Sequence, residues 1–256
     1  MKRRICSQNH RKLRIIYYTL SVYSRNLSGI FFCNEFSKDR KIPGVHLKEK
    51  GKKMDRERFE KQLNFILEID KEKQILRQTH IRGYSRQEDD AEHAWHMAVM
   101  AFLLQEYSNE KIDIGRTMLM LLIHDLVEID AGDTYAYDAE ANKTKDEREH
   151  KAAERIYGLL PEDQGKMLMD LWLEFEAYES PEARFAHVMD NFQPLLLNHE
   201  NDGKDWTRHN VRISQPLKRN EKTATGSEEI WSYMEEILEQ SIRDGKIIDD
   251  REEKQE

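Results

Sequence analysis

The sequence predicts an all-α fold of about six to seven helices. Apolar residues recur at three- and four-residue steps through most of the chain after residue 54, as expected for helices with one buried face. Residues that cap helices, such as Asp113 and Ser180, precede several of these segments. No segment convincingly predicts a strand. Because 256 residues can bury one sizeable core, we expect a single domain with appendages.

The predicted helices follow one another from residue 55 onward. The first is expected to end near Arg77, with Phe59, Leu63 and Ile66 at helical spacing, and a polar connector separates it from the second. Ser180 is followed by proline at the first helical position, which favours a helix start there. The later helices are predicted at about 90–107, 113–128, 146–160, 162–178, 181–198 and 227–244, with loops at 129–145 and 201–225.

Residues 1–53 differ from the rest of the chain in charge. They carry 14 Lys/Arg and 3 Asp/Glu, whereas the remaining residues carry 27 and 46. The segment could be a disordered basic arm, a targeting peptide, or no part of the native protein; we favour the last, because Met54 immediately precedes the first predicted helix. The predicted domains are therefore this extension (1–53), a helical domain (54–245) and a charged tail expected to fray (246–256).

Composition also restricts partners and compartment. The acidic body argues against binding to a nucleic-acid polymer or an anionic membrane, because their phosphates would be repelled. Both cysteines, Cys6 and Cys33, lie in the basic segment, so the body has no disulfide and suits a reducing cytosol. The apolar stretch at residues 13–23 is too short for a membrane span. We therefore expect a cytoplasmic protein.

The central stretch, MLMLLIHDLVEIDAGD at residues 118–133, places charged groups at the end of an apolar run. On a helix, Asp125 and Glu128 would share one face, with His124 about 100° away from Asp125 around the axis. Charges in an apolar segment are costly unless a metal ion or polar ligand compensates them. The stretch therefore predicts a functional site at this helix end.

Three predicted helices each offer metal-ligand side chains. Imidazole together with carboxylate suits a divalent transition metal such as Mn, Co, Fe or Zn. Each side chain alone has a simpler interpretation, as a buried or capping histidine or as a surface carboxylate. The candidates are His93 and His96 in the second helix, His124 and Asp125 in the third, and His187 and Asp190 in the sixth.

Three motifs, in this order, carry a resemblance to a known family: AEHAWHMAVMA, LLIHDLVEIDAGD and AHVMDNFQPLL. They resemble those of the HD-domain metal phosphohydrolases, most closely the bacterial 5′-deoxynucleotidases and their HD-domain-containing relatives. The resemblance covers about residues 58–200. It implies a single HD-type helical domain, a homodimer as one open option, and one divalent metal ion held by His93, His124, Asp125 and Asp190.

The resemblance also implies roles for individual residues. Glu128 would act on the attacking water beside the catalytic Asp125, and Arg77, at the end of the first predicted helix, would contact phosphate. Asp133 would contact the sugar, and the adjacent Thr134 is a further candidate substrate contact. The family commonly has an aromatic residue after the arginine, whereas this chain has Gln78, so selectivity for a deoxy sugar stays open.

The expected function is divalent-metal-dependent hydrolysis of nucleoside, especially deoxyribonucleoside, 5′-monophosphates to nucleoside and phosphate. One alternative keeps the metal site but acts on another phosphorylated metabolite or an alarmone. The other is a helical regulatory or binding protein without turnover. His150 and His187 could in principle hold a second metal ion, and we predict a single ion.

Overall fold

The structure of the protein, a computed structural model, describes residues 54–133 and 141–251, so the predicted extension at 1–53 and Thr134 lie outside the described residues. The all-α prediction is confirmed. None of the described helices is long and apolar enough to cross a bilayer. The helices are α1 (Arg56–Ile69), α2 (Asp90–Leu104), α3 (Ile114–Ile123), α4 (Glu128–Ala131), α5 (Lys145–Tyr157), α6 (Glu162–Ala177), α7 (Pro181–Glu200), α8 (Lys204–Arg208), α9 (Ser214–Arg219) and α10 (Glu228–Arg243).

Local capping interactions fix the predicted helix starts. The Asp113 carboxylate accepts a hydrogen bond from the backbone N–H of Arg116 at 3.1 Å, and α3 begins there. At α7, Ser180 Oγ accepts from the backbone N–H of Ala183 at 3.1 Å, and Pro181 occupies the first helical position. Both caps satisfy backbone donors that a helix leaves unpaired at its first turn.

The region around Arg77 differs from the prediction. Helix α1 ends at Ile69, a 3-10 turn follows at Asp70–Gln74, and Arg77 lies on a strand, β1 (Leu76–His80). This strand pairs antiparallel with β2 (Gln87–Asp89). Distant residues anchor the hairpin: the backbone N–H of His80 donates to Asp205 Oδ2 at 3.1 Å, and that of Gly83 to Asn201 Oδ1 at 2.9 Å. The prediction of a helix reaching Arg77 is therefore wrong.

Two further segments are more ordered than predicted. Residues 201–225, expected to be a loop, contain α8 and α9. The charged tail was expected to fray, but its first residues are fixed: Ile247 is buried, and the backbone N–H of Ile248 donates to the Val211 carbonyl at 2.9 Å. Polar side-chain contacts, which neither helix capping nor apolar periodicity indicates, hold this region in place. One of them is the hydrogen bond that Ser214 Oγ donates to Asp250 Oδ2 at 2.6 Å.

Helix α7 lies at the centre of the core, where it packs against α2, α3, α6 and α10. Its apolar side chains around Asp190 are buried, as the sequence suggested, and these are Phe185, Val188, Met189, Phe192 and Leu195. Helix α3 ends earlier than predicted, and His124–Val127 form a 3-10 turn that leads into α4. This break in the helix turns the His-Asp pair toward α7.

Candidate metal centre and substrate cleft

Three separate segments bring the predicted metal ligands together. His93 comes from the first turn of α2, His124 and Asp125 from the 3-10 turn after α3, and Asp190 from the middle of α7. His93, His124 and Asp125 each offer one ligand atom, and these atoms all lie within 4.8 Å of one another. Asp190 Oδ1 lies 3.1 Å from His93 Nε2 and 4.0 Å from His124 Nε2, so it borders the same point.

The protonation of His93 follows from its surroundings. Its side chain is 0% exposed, and burial, reinforced by the nearby Arg77 guanidinium, lowers the pKa of His93 to about 4, so the ring is neutral at pH 7. Its Nδ1 lies 2.9 Å from Gln193 Oε1, an acceptor, so Nδ1 carries the ring proton. The unprotonated Nε2 then faces the Asp190 carboxylate, and two acceptors in contact require a cation between them.

His124 has the same orientation. Its Nδ1 donates to the Leu121 carbonyl at 2.9 Å, and its buried Nε2 lies 3.0 Å from Asp125 Oδ1. Although burial lowers the pKa of His124, the carboxylates of Asp125 and Asp190 outweigh burial and raise it to about 9. The two carboxylates therefore stabilise one positive charge at this point, and either a proton or a metal ion can supply it.

This donor set fits a divalent metal ion. Two imidazole Nε2 atoms that face one point, together with two carboxylates, are the donor set that transition metals bind. The second nitrogen of each ring is held by an oxygen acceptor, the usual arrangement for histidines that bind metals. Within 54–133 and 141–251, no other group of three such side chains lies this close together.

Arg77 neutralises part of the acidic pocket. Its Nη1 donates to Asp90 Oδ1 at 3.1 Å and to Asp125 Oδ2 at 3.0 Å, and its side chain is mostly buried. Asp90, the first residue of α2, is fully buried. The strand β1 thus places the guanidinium beside the candidate ligand Asp125, where it also lines the cleft described next.

An open cleft lies over these residues, and Glu128 lines it. The Glu128 side chain is only 6% exposed, and its Oε2 has no hydrogen-bond partner in the part of the chain that the structure describes. Burial, together with the carboxylates of Asp125 and Asp90, raises the pKa of Glu128 to about 11. Arg77, Gln78 and Asp133 also line the cleft, whereas the predicted contact Thr134 lies outside the described residues.

The model of the HD domain family matches residues 69–231, which is more than half of the chain. The chain belongs to the HD domain family. A crystal structure of a "predicted metal-dependent phosphohydrolase" from Magnetospirillum magnetotacticum MS-1 is similar over 75% of this chain and 96% of its own, with 47% identity and a TM-score of 0.71.

Curated relatives of this HD domain protein are the 5′-deoxynucleotidases HDDC2 of Homo sapiens and Danio rerio. The human protein is 34% identical over 115 residues, which are 45% of this chain and 55% of the relative. The zebrafish protein is 34% identical over 119 residues, which are 46% of this chain and 58% of the relative. The match thus spans little more than half the length of these curated relatives.

The other candidate histidines of the HD domain lie outside the cluster. His150 is exposed on α5, and His187 Nε2 contacts the Phe175 carbonyl at 2.9 Å, with its ring stacked between Phe175 and Tyr178. His96 lies on the other side of Gln193 from His93. These positions leave a second metal ion without a ligand set among the described residues.

The structure adds cleft residues of this HD domain that the sequence did not single out. Lys145 and Arg219 both line the cleft, and Arg219 Nη2 lies 3.5 Å from Asp190 Oδ2. Lys145 Nζ lies 3.5 Å from Glu149 Oε1. Neither residue belongs to a motif, and the helix that carries Arg219 was predicted to be a loop. No sequence signal distinguished them from other surface cations.

Proposed function

We propose that the protein is a divalent-metal-dependent phosphomonoesterase that hydrolyses nucleoside, especially deoxyribonucleoside, 5′-monophosphates to nucleoside and phosphate. The observation that carries the proposal is the meeting of the Nε2 atoms of two buried imidazoles and two carboxylates beneath a cleft lined by cations. The names of the HDDC2 relatives and of the similar crystal structure support it. The proposed ligands of a single ion, with its identity among Mn, Co, Fe and Zn open, are His93, His124, Asp125 and Asp190.

Such an ion would neutralise phosphoryl oxygens and lower the pKa of water from 15.7 toward about 7. Glu128 is proposed to take the remaining proton from the attacking water, since it lines the cleft three residues beyond Asp125. General-base action of this kind typically contributes about 10²–10⁴-fold to the rate. A cation in the pocket favours the ionised carboxylate that the role needs, because it offsets the charge of Asp125 and its acidic neighbours.

The phosphate would be held by cationic side chains that line the cleft. Arg77, Lys145 and Arg219 converge on the cleft and supply local positive charge for an anionic substrate. Asp133 lies at the same cleft and is the proposed sugar contact, together with Thr134. Gln78 also lines the cleft, at the position where the family commonly has an aromatic residue. The preference between ribose and deoxyribose therefore has to be measured.

A phosphate-release screen tests the activity. We would assay 5′-monophosphates of ribonucleosides and deoxyribonucleosides with Mn²⁺, Co²⁺, Fe²⁺ or Zn²⁺, alongside other phosphorylated metabolites and alarmones. Release from deoxynucleotides that needs the metal supports the proposal. Release only from another phosphorylated compound would favour the second enzyme hypothesis, and bound metal without any turnover would favour a regulatory protein.

The proposal also includes a cytoplasmic location. The absence of cysteine after residue 53 supports it, because a reducing compartment does not favour disulfides.

We also propose that the protein forms a homodimer through the outer faces of α2 and α3. Helix α2 is apolar on both sides, and Trp95, Phe102 and Leu103 are 64%, 54% and 63% exposed. Helices α2 and α3 pack against each other and both pack against α7, so their sides away from α7 are neighbours. This face also contains Val99, Leu119 and Leu122.

The exposed area is appropriate for a second copy. Given about 150–250 Å² for a whole aromatic side chain, the six apolar side chains expose roughly 500 Å², against about 800 Å² per partner in a standard interface. Between Trp95 and Leu103 the sequence has no Asp, Glu, Lys or Arg, so this stretch of α2 has no like charges that would repel a second copy. Leu103→Glu should yield a monomer in analytical ultracentrifugation. Leu67→Glu, at an exposed apolar position of α1, should leave the dimer intact; the reverse result would place the interface on α1.

A further inference from the structure

A buried amide side chain connects the candidate metal centre to strand β2. Gln193 lies three residues after Asp190 on α7 and is 0% exposed. Its Oε1 lies 2.9 Å from His93 Nδ1. Its Nε2 donates to Glu88 Oε1 at 2.7 Å and lies 3.2 Å from His96 Nδ1. Both ends of the amide thus have partners, and neither end reaches the cleft.

The partners determine which way the amide points. The NH₂ end of Gln193 donates to Glu88 Oε1 at 2.7 Å, and a carboxylate oxygen in that position only accepts. The oxygen end therefore faces His93, and a carbonyl oxygen likewise only accepts. His93 must then donate from Nδ1, which leaves its Nε2 lone pair directed toward Asp190 and the metal centre. Glu88 Oε2 itself lies 3.7 Å from His93 Nδ1, so both buried partners of the ring favour a proton on that nitrogen.

We propose that Gln193 and Glu88 are positioning residues that hold His93 in the only neutral tautomer able to bind the metal through Nε2. The inference rests on the proposed function, in which His93 is a ligand. Without the oxygen of Gln193, the ring proton can move to Nε2, where Asp190 accepts it, and the ligand atom is lost. Partners of this kind typically change metal affinity by about 10–100-fold.

The test compares metal affinities of the full chain and its variants at pH 8 by titration with Co²⁺. Gln193→Met keeps the side-chain length without the amide and should weaken Co²⁺ binding by about 10–100-fold. The double variant Gln193→Glu, Glu88→Gln exchanges the amide and the carboxylate, keeps an oxygen acceptor for His93 and should recover most of the affinity. As a matched control, Gln164→Met removes a hydrogen-bonded glutamine from α6, far from the centre, and should leave Co²⁺ binding unchanged.

Nitrogen-15 NMR of histidine-labelled protein supplies a readout that general destabilisation would not move. In the Zn²⁺-loaded protein, His93 should carry its proton on Nδ1, with the assignment made from the signal missing in His93→Gln. In Gln193→Met, the Nδ1–H signal should broaden or shift. A His93 ring without a proton on Nδ1 in the native protein would overturn the inference.

The outcomes separate the two proposals. If the native chain binds no Co²⁺, or His93→Gln binds it equally well, the proposed metal centre is wrong. If His93→Gln loses Co²⁺ but Gln193→Met binds as the native chain does, only the positioning role is wrong. Should Gln193→Met fail to fold, Glu88→Gln decides: it frees the amide to reverse, so an unchanged Co²⁺ affinity would refute the role.

Discussion

Replacing Glu128 with glutamine should separate catalysis from metal binding. The substitution keeps the size of the side chain and removes the carboxylate that we propose as general base. We expect kcat to fall by at least about 100-fold, a barrier increase of about 2.7 kcal/mol. The metal should stay bound, because the proposed ligand set does not include Glu128. Substrate affinity should survive, since the cationic side chains of the cleft are untouched.

The same substitution should stabilise the metal-free protein. Folding raises the pKa of Glu128 from 4.5 to about 11, because the side chain is buried beside Asp125 and Asp90. An acid whose pKa is raised on folding contributes stability that is complete below the unfolded pKa and is lost as pH rises. Between pH 4.5 and 7 that loss is about 3 kcal/mol at 1.36 kcal/mol per pH unit. Glutamine does not titrate, so Glu128→Gln should be up to about 3 kcal/mol more stable at pH 7.

The assay is urea unfolding in the presence of a chelator at pH 5 and pH 7, with metal content and single-turnover rates measured on the same preparations. The stability gain should shrink to about 1 kcal/mol or less at pH 5. Glu235→Gln, an exposed position on α10, serves as the control and should change neither stability nor rate. Loss of metal together with activity would identify Glu128 as a ligand. An equal stability of variant and native chain at pH 7 would refute the electrostatic argument.

Three further perturbations test the remaining structure. Asp125→Ala should abolish bound metal and phosphatase activity while circular dichroism stays helical; an active variant would refute the site. Arg77→Ala should cost about 3–5 kcal/mol in urea unfolding, because Asp90 and Asp125 lose their buried cation; a cost below 1 kcal/mol would contradict this. Burial lowers the pKa of His187 to about 4, so the native chain should lose up to about 3 kcal/mol between pH 6.5 and 4. In His187→Gln that contribution should be missing, and identical pH profiles would count against it.

Features encoded in a few adjacent residues were predictable from the sequence. The starts of α3 and α7 follow from Asp113 and from the Ser180-Pro181 pair, because a cap uses side chains within three residues of the helix. The order of the histidine and aspartate motifs likewise indicated which residues would meet. The structure brings His93, His124 and Asp125 together, with Asp190 beside them.

Features that depend on distant partners were not predictable. The hairpin that carries Arg77 is anchored by Asp205 and Asn201, more than 100 residues away, whereas its local sequence continues a helical pattern. Nothing in the local sequence distinguishes Gln193 from other polar residues, because its proposed role depends on contacts with Glu88 and His93. The apolar spacing in α1 also indicated the wrong buried residues, since Phe59 and Leu63 are exposed and Phe65 is buried. Periodicity gives the face of a helix only when one side is polar.

The metal centre joins segments that are far apart along the chain. His93 and Asp190 are separated by 97 positions, and the His-Asp turn lies between them. An ion at this point would cross-link α2, the turn after α3, and α7. These segments must dock before the centre exists, whereas none of them can leave without breaking a metal–ligand bond. We therefore expect the ion to lengthen the lifetime of the native state by slowing unfolding, with little effect on the rate of folding.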